Sequence, residues 1–297
     1  MSWQCFPMSR AQPPDSLPCL TLTMTAINPI TDRQFQQFRK LIHEEAGISL
    51  MPHKKALVAG RLAKRLRHYK LRDYGQYYLL LSEPEYANEF QMMVDLLTTN
   101  ETYFFREPQH FDFLRDQVLM NRPSDGFRIW CAASSSGEEV YTLAMVLAEK
   151  LGAIPWEVLG SDISARMLQS CRQAVYPLSR ASHMSNYFRS KYCLKGVREQ
   201  EGMLMIDHKL RKRCKFRKIN LKEPLPAIGK YDVIFVRNVM IYFDQETKKH
   251  VVNRLLHMLK PGGYLFTSHS ESLHGIDHGI ELVMPSIYRK PQRKQIL

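Results

Sequence analysis

The chain lacks the cysteine pairs, apolar runs and leader segment that would place it outside the cytoplasm. Its six cysteines are scattered among 297 residues with no Cys-x-x-Cys pair, which argues against a zinc framework and a secreted disulfide scaffold. No apolar run approaches the length of a membrane span. Residues 1–23 are rich in proline and lack the charged start and apolar core of a signal peptide. We therefore expect a cytoplasmic protein that does not insert into a membrane.

The usual phosphate-binding motifs are also missing. There is no Gly-x-Gly-x-x-Gly fingerprint, so a dinucleotide site has little support, and no Gly-x-x-x-x-Gly-Lys-Ser/Thr loop to cradle phosphates. His269 lies near serines and an acid, but no Gly-x-Ser-x-Gly elbow precedes it, which argues against a hydrolase. A ligand of this protein is therefore expected to be recognised by something other than its phosphates.

Acidic residues are scarce relative to basic ones. The chain has 42 Lys and Arg against 29 Asp and Glu, a formal net charge of +13, which suggests an acidic partner such as nucleic acid, an anionic membrane or a Glu-rich protein surface. Residues 52–72 contain eight Lys or Arg and no acid. On a helical wheel, an apolar stripe (Val58, Leu62, Leu66, Tyr69) lies beside a basic one (Lys54, Arg61, Arg65). The basic face is either solvated or binds a partner, and the absence of acids for i,i+4 pairs favours the partner.

The hydrophobic period divides the chain into a helical part and an alternating part. From about Asp32 to Met120 the apolar residues recur with helical spacing. After residue 126, short apolar strands alternate with helical segments, which predicts a mostly parallel sheet. The predicted strands are 127–131, 157–161, 216–220, 231–237 and 263–268, and the predicted helices are 138–151, 165–174 and 245–259.

Two further segments have patterns of their own. Residues 176–213 are polar, basic and irregular, and we predict there an insertion with a small hairpin formed by Met203–Ile206 and Cys214–Phe216. Residues 280–290 predict a final pair of strands at a sheet edge.

Small residues and isolated acids mark a candidate ligand site. The first strand runs into the turn 132–137, where small side chains let a ligand approach the backbone closely. Asp162 ends the second strand, where it either accepts hydrogen bonds from two ribose hydroxyls or caps the helix that follows. Glu138 begins the helix after the turn, where it either favours the helix N-terminus or receives an α-ammonium group. A ligand with a ribose, an amino-acid tail and no phosphates is S-adenosylmethionine.

A strand that ends in Arg237-Asn238 and then an aromatic residue is an unusual use of side chains that are expensive to bury. We interpret this strand end as the edge of an active site. Upstream, the cluster Asn100, Thr102 and Arg106 is interpreted as a polar lid over the same crevice.

The ordered set of motifs resembles the CheR-type chemotaxis receptor glutamate O-methyltransferases from about residue 30 to 290. The motifs are Thr99-Asn100-Glu101-Thr102, Phe104-Phe105-Arg106-Glu107, Ser136-Gly137-Glu138-Glu139, Ser161-Asp162-Ile163, Asn220-Leu221 and Arg237-Asn238-Val239-Met240-Ile241-Tyr242-Phe243. The resemblance implies an α/β fold, with a Rossmann-like S-adenosylmethionine-dependent methyltransferase sheet, an all-helical N-terminal domain and a small inserted antiparallel β-subdomain. The expected divisions are a disordered extension (1–23), a helical receptor-recognition domain (24–98), a linker and helix contributing to the cofactor site (99–126), the methyltransferase domain (127–290) with the insertion at about 176–216, and a tail (291–297).

The resemblance also implies a reaction. The enzyme would transfer the methyl group of S-adenosylmethionine to glutamate side chains of chemoreceptors, giving methyl esters and S-adenosylhomocysteine. The residues implied to bind the cofactor are Asn100, Thr102, Arg106, Glu138, Asp162, Asn220, Leu221, Arg237 and Asn238. Arg106 and Tyr242 would lie nearest the transferred methyl group as the catalytic pair, and no metal is expected.

The implied partners are the Glu-rich cytoplasmic helices of methyl-accepting chemoreceptors. The residues expected to bind them are Lys54, Arg61, Lys64, Arg65 and Arg67. We expect a monomer, recruited from the cytoplasm to receptor arrays at the membrane, with no nucleic-acid partner.

Two alternatives stay open. One is a signalling adaptor that binds S-adenosylmethionine or receptor without turnover. The other is a nucleic-acid methyltransferase, motivated by the charge. Against the latter, Arg237-Asn238-Val239-Met240 stands where amino-methylating enzymes of that class usually carry an Asn/Asp-Pro-Pro-aromatic motif.

Overall fold

A computed structural model of the protein describes residues 27–121 and 126–292. The expected disordered extension at 1–23 lies outside the described residues, as does most of the expected tail at 291–297. Within the described ranges, no helix is both long and apolar enough to cross a membrane.

The N-terminal part of the described chain is all helical, as predicted. Its helices are α1 Asp32–Ala46, α2 Lys55–His68, α3 Tyr74–Leu81 and α4 Ala87–Leu97. α1 starts at a capping box in which Thr31 and Gln34 bond each other's backbone amides, and it ends at Gly47 with φ of 72°. The apolar faces of the helices meet in one core built around Phe38, Leu62 and Met93, all fully buried. Helical periodicity therefore predicted this part of the fold correctly.

A connector leads from this helical core to the sheet. Residues 98–107 form no regular element, and α5 Pro108–Phe113 follows them, continued by a π-helical turn at Leu114–Val118. Proline at the first position of α5 fits there because the first amide of a helix has no partner inside the helix. Glu107, just before it, has φ of 57°, a left-handed conformation that is costly for a residue other than glycine.

The second part alternates strands and helices. Its strands are β1 Phe127–Cys131, β2 Trp156–Asp162, β3 Val175–Pro177, β4 Cys193–Lys195, β5 Met203–Ile206, β6 Cys214–Lys218, β7 Tyr231–Phe235, β8 Leu259–Phe266, β9 Glu281–Met284 and β10 Ile287–Arg289. Its helices are α6 Glu138–Leu151, α7 Ala165–Gln173, α8 Asn186–Tyr192, α9 His208–Arg211 and α10 Gln245–Met258. The five predicted strands and three predicted helices are all present, with some ends shifted.

The described strands form one seven-stranded sheet in the order β6-β2-β1-β7-β8-β10-β9. The strands from β6 to β8 are parallel, and β10 and β9 add an antiparallel edge, which confirms the predicted final pair. Successive residues of a strand point to opposite faces, so Ile129 and Val233 enter one apolar core and Trp130 and Ile234 enter the other. A sheet covered on both faces requires the continuous apolar runs seen in the sequence.

The insertion forms a small antiparallel sheet in the order β3-β5-β4. The predicted hairpin of Met203–Ile206 with Cys214–Phe216 is therefore wrong. β5 is the central strand of the small sheet, and β6 instead pairs in parallel with β2 at the edge of the large sheet. The reason is that α9 lies between the two segments and carries the chain from one sheet to the other. A period of two identifies a strand but not its partner.

The helical domain lies against the carboxyl ends of the parallel strands. Asn220, after β6, donates to the carbonyl of Glu45 at the end of α1 (2.7 Å), and a β-bridge joins Ile48 to Phe243. The His43 Nε2 atom lies 2.6 Å from an oxygen of Asp244, which caps α10. These contacts close a crevice between the two parts of the chain.

Candidate functional site

A cavity lies in this crevice at the carboxyl ends of β1, β2 and β7, the position where open α/β sheets bind ligands. Its wall combines the connector, the ends of β1, β2 and β7, the loop after β7, residues 219–221 after β6, and one segment of the helical domain at residues 46–48. The lining residues are Ala46, Ile48, Thr98, Thr99, Asn100, Glu101, Thr102, Arg106, Ala132, Ala133, Ser135, Glu139, Asp162, Ile163, Ile219, Asn220, Leu221, Arg237, Asn238, Val239, Tyr242 and Phe243. The structure thus brings together every residue expected to bind the cofactor except Glu138, together with both expected catalytic residues.

The turn after β1 is tight, as its small residues predicted. Gly137 has φ of 100°, and a Cβ there would lie 2.9 Å from the Tyr176 hydroxyl, so only glycine fits. Ser135 is also left-handed, with φ of 46°, and its hydroxyl donates to the carbonyl of Asn100 at 2.9 Å. The turn therefore anchors the connector as well as shaping the cavity wall.

Asp162 is buried at the end of β2, and both of its carboxylate oxygens accept backbone hydrogen bonds. One oxygen accepts from the amide of Ser135 (2.8 Å) and the other from the amide of Ser164 (2.9 Å). Burial outweighs these bonds and raises the pKa of Asp162 to about 6. Asp162 is not the N-cap of the following helix. The hydroxyl of Ser164 caps α7 by accepting from the amide of Met167. Asp162 is thus free to present its remaining lone pairs to a ligand in the cavity.

Arg237 ends β7 with its guanidinium nearly buried, at 5% exposure. It donates to Glu139 (2.5 Å) and to the carbonyl of Arg106 (2.7 Å), and it lies 3.2 Å from Glu107. Two carboxylates therefore share one guanidinium. Arg237 joins the connector to the sheet as well as lining the cavity.

The acid that lines the cavity after the turn is Glu139 rather than Glu138. The carboxylate of Glu138 is buried behind the turn, where it accepts from the Ser136 hydroxyl (2.6 Å) and lies 3.4 Å from Arg180. Burial raises the pKa of Glu138. The sequence motif contains both acids in succession, and helical periodicity did not tell which one faces the ligand. The ligand role expected of Glu138 thus stays a prediction without support from the cavity wall.

The loop after β7 is held by a carboxylate that sequence reasoning did not select. Glu271 is 1% exposed and accepts from four backbone amides: Asn238 (2.8 Å), Met240 (2.6 Å), Ile241 (3.2 Å) and Ser268 (3.0 Å). Asn238 has φ of 58°, so this anchor holds a strained turn. An acid two residues after His269 was the only sequence signal, and it does not reveal which amides it accepts.

Arg106 and Tyr242 approach the cavity from opposite walls. Arg106, on the connector, is half-buried and donates to the carbonyl of Glu101 at 3.0 Å. Tyr242 packs against the helical core, and its carbonyl accepts from the amide of Ser49 at 2.7 Å. The position of Tyr242 therefore depends on the docking of the helical domain.

The basic helix α2 is only partly free. Arg65 forms a two-point ion pair with the buried Glu89 (2.7 and 2.5 Å), which also accepts from the hydroxyls of Tyr77 and Tyr69. Arg61 donates to the carbonyls of Leu97 (3.1 Å) and Thr98 (3.0 Å), and burial lowers its pKa.

This changes the expectation for the receptor-binding set. Lys54, Lys64 and Arg67 are exposed and form no ion pair with any residue of the described ranges. The guanidinium of Arg65 is paired with an acid from α4, and Arg61 donates to the start of the connector, so receptor binding by these two residues stays a prediction. The absence of acids within α2 did not show this, because the neutralising acid comes from another helix.

Two family models match the chain. CheR methyltransferase, all-alpha domain, matches residues 33–98, and CheR methyltransferase, SAM binding domain, matches residues 100–288. The chain is similar to the chemotaxis protein methyltransferase of Escherichia coli (strain K12), with 38% identity over 280 residues that cover 92% of this chain and 97% of the relative. It is also similar to chemotaxis protein methyltransferase 2 of Pseudomonas aeruginosa, with 40% identity over 266 residues, 87% of this chain and 93% of the relative.

Proposed function

The chain belongs to the CheR methyltransferase family and is an S-adenosylmethionine-dependent methyltransferase, and on that premise we propose that it esterifies glutamate side chains on the cytoplasmic helices of chemoreceptors. The observation that carries the proposal is the crevice between the two domains, where Asp162, Arg106 and Tyr242 line one cavity. A cavity with walls from both domains can hold a cofactor on the sheet side and admit a receptor helix from the helical side.

The cavity fits S-adenosylmethionine on features of this structure. Asp162 offers a buried carboxylate to ribose hydroxyls, and Ile163, Ile219 and Leu221 offer apolar surface beside it. Ala132, Ala133 and Ser135 present only small side chains at the cavity wall, so a ligand can approach the backbone after β1 closely. We assign Asn100, Thr102, Asn220, Arg237 and Asn238 to the polar rim of the same site.

When bound, S-adenosylmethionine supplies a methyl group on a positively charged sulfur. The glutamate that receives it is ionised at neutral pH, so the protein needs no strong general base. The chain's residues are left with orientation and the exclusion of water. We assign Arg106 to orient the incoming carboxylate and Tyr242 to donate a hydrogen bond beside it.

The free cations of α2 are proposed to bind the substrate. Lys54, Lys64 and Arg67 are exposed, and Arg61 on the same helix contacts the carbonyls that lead into the connector. A Glu-rich receptor helix lying along α2 would therefore be guided toward the cavity by complementary charge. We propose that the enzyme acts as a monomer at cytoplasmic receptor arrays.

The decisive experiment is transfer of radiolabelled methyl from S-adenosylmethionine to a receptor cytoplasmic fragment, to RNA and to DNA, followed by mild alkali. We expect label on the receptor that is released by alkali, as a carboxyl ester requires. Alkali-stable label on nucleic acid would overturn the proposal. Binding of cofactor and receptor with no transfer would support the adaptor alternative instead.

The same assay tests the role of Arg106. We expect Arg106→Ala to lower the rate of transfer by about 10²-fold, because orientation of the carboxylate is lost. Arg106→Lys keeps the charge but not the planar fork and should retain part of the rate. Unchanged turnover and cofactor affinity in Arg106→Ala would remove this residue from the mechanism.

A further inference from the structure

Three potential metal ligands meet on the side of Arg237 that faces away from Glu139. They are Glu107 on the connector, His110 on α5 and His269 after β8. The Oε2 atom of Glu107 lies 3.6 Å from His110 Nδ1 and 3.7 Å from His269 Nε2, and the three ligand atoms all lie within 4.8 Å of one another. We call these three residues the His-His-Glu cluster. The proposed methyl transfer uses none of them.

One ligand atom of this cluster is buried without a partner. His110 is fully buried, and its Nδ1 atom has no hydrogen-bond partner among the described residues. An unpaired polar atom in a closed environment is costly. A carboxylate oxygen of Glu107 lies 3.6 Å from it, beyond normal hydrogen-bond distance. The site therefore has a place for a cation that the chain itself does not fill.

The other nitrogen of each ring is held by a single hydroxyl. Ser286 Oγ lies 2.9 Å from His110 Nε2 and 3.2 Å from His269 Nδ1, and it donates to the carbonyl of Pro285 at 2.5 Å. A hydroxyl has one proton, so with that proton on Pro285 it accepts an N–H from each ring. Both rings then present a lone pair, rather than an N–H, toward Glu107. Hydrogen bonding of the far nitrogen is the usual support of a metal-binding histidine.

The local charge also permits a cation. Arg237 is the nearest cationic side chain to Glu107, but it is shared with Glu139. Two carboxylates against one guanidinium leave a net negative charge beside two neutral imidazoles. The left-handed backbone of Glu107 and of Ser286 (φ of 63°) holds the carboxylate and the supporting hydroxyl in place.

We propose that Glu107, His110 and His269 form a zinc site. Two imidazoles and one carboxylate are a known zinc donor set, and bonds of about 2.0–2.2 Å in a tetrahedron place the ligand atoms roughly 3.3–3.6 Å apart. The two distances from Glu107, 3.6 and 3.7 Å, are close to this spacing, and the two histidine nitrogens lie within 4.8 Å of each other. The side chain of His269 is 45% exposed, so an ion can enter from solvent and keep a water as its fourth ligand.

The zinc site would stabilise the segments that form one wall of the cavity. It ties the connector and α5 to the loop after β8, and through Ser286 to the turn between β9 and β10. Because Glu107 also contacts Arg237, zinc would redistribute that ion pair at the cavity wall. This role is separate from the proposed methyl transfer and requires no zinc in the reaction.

The test is zinc binding by tag-free full-length protein, measured by titration calorimetry and by metal content after dialysis. We expect about one zinc per chain in wild type and an affinity at least about tenfold weaker in His269→Gln, whose side chain is exposed enough to be replaced without unfolding. His250→Gln is the matched control, because His250 is an exposed histidine in a separate surface group with His43, Asp244 and Glu246. We expect its affinity to equal that of wild type.

A second measurement uses wild-type protein alone. Zinc should protect His269 from diethyl pyrocarbonate, as read by peptide mass spectrometry, and should leave His250 reactive. The proposal is overturned if wild type binds no zinc, if His269→Gln binds as tightly as wild type, or if protection falls on His250 instead. None of these outcomes bears on methyl transfer to receptor, so the two proposals fail separately.

Discussion

At the scale of single residues, the site is governed by where carboxylates are buried. Asp162, Glu138, Glu139 and Glu271 all lie within or behind the cavity wall, yet each has different partners. Glu139 pairs with Arg237 and Glu271 accepts from four amides, whereas Asp162 accepts from two amides and forms no ion pair with any residue of the described ranges. Burial is therefore least compensated at Asp162, and this is the acid whose pKa of about 6 lies near physiological pH.

This pKa leads to a pH dependence of cofactor affinity. Ribose hydroxyls donate to the ionised carboxylate, so affinity for S-adenosylmethionine should be constant near pH 7 and fall by up to about tenfold per pH unit below about 6. In Asp162→Asn we expect weaker binding with no pH dependence between pH 5 and 7. Titration calorimetry across this range is the measurement. A wild-type affinity that does not change down to pH 5 would contradict the role of Asp162.

Protonation of Asp162 does not by itself destabilise the fold. The folded-state pKa of Asp162 is raised above its ordinary value of 3.8, so this group binds more protons in the folded protein than in the unfolded chain between about pH 4 and 6. The contribution of this group to stability therefore grows as the pH falls and is lost as the pH rises through about 6. Circular dichroism at each pH provides the control.

At the scale of elements, the loop after β7 shows how a strained segment is maintained. Asn238 is left-handed, and the loop from Arg237 to Tyr242 has no regular hydrogen-bond ladder of its own. Glu271 supplies acceptors for three amides of this loop and one of its own strand end. The loop thus takes its shape from a side chain more than thirty positions away.

Replacing this anchor should impair both catalysis and stability. In Glu271→Gln, one acceptor oxygen becomes an NH₂ group that faces amide donors, at a cost of about 1–3 kcal/mol for each unsatisfied group. We expect Asn238 and Tyr242 to shift and kcat/KM for receptor methylation to fall about 10- to 100-fold. The matched control is Glu281→Gln, on the exposed edge strand β9, which should behave as wild type.

Steady-state kinetics and thermal unfolding separate the possible results. A kcat/KM of Glu271→Gln equal to that of Glu281→Gln would contradict the anchoring role. Glu271→Asp keeps the charge and should restore part of the rate, which loss of folding alone would not predict.

At the scale of the whole molecule, the net charge overstates the positive charge that α2 exposes to a partner. The chain carries +13, but part of the charge on α2 is neutralised within the helical domain by Glu89. The charge that remains for a partner is on Lys54, Lys64 and Arg67. Steering toward an acidic receptor therefore depends on a few exposed side chains rather than on the total.

Reversing those charges should slow association with the receptor. We expect Lys64→Glu with Arg67→Glu to lower the methylation rate by about tenfold at low salt and to weaken its salt dependence, with cofactor affinity unchanged. The matched control reverses Lys209 and Lys249, two exposed lysines on α9 and α10. The measurement is the methylation rate of both double variants at several ionic strengths. Equal rates in the two would mean that the basic face of α2 is solvated and binds no receptor.

The sequence by itself determined the layered plan of the protein. Helical and strand periods depend on nearest neighbours along the chain, so the helical domain, the five parallel strands and the edge pair at 280–290 were predictable. The places of the small-residue turn and of Asp162 in the cavity wall were predictable as well, because ligands of open α/β sheets bind at the carboxyl ends of the strands. The ordered motifs then identified the family.

Only the tertiary structure decided which side chains meet. It paired Arg65 with Glu89, selected Glu139 rather than Glu138 for the cavity wall, and gave β6 to β2 instead of β5. It also brought His269 to Glu107 and His110, from which it is distant in sequence. Residues that are distant in sequence pair according to packing and electrostatics in three dimensions. A local sequence pattern therefore does not show which distant group compensates a buried charge.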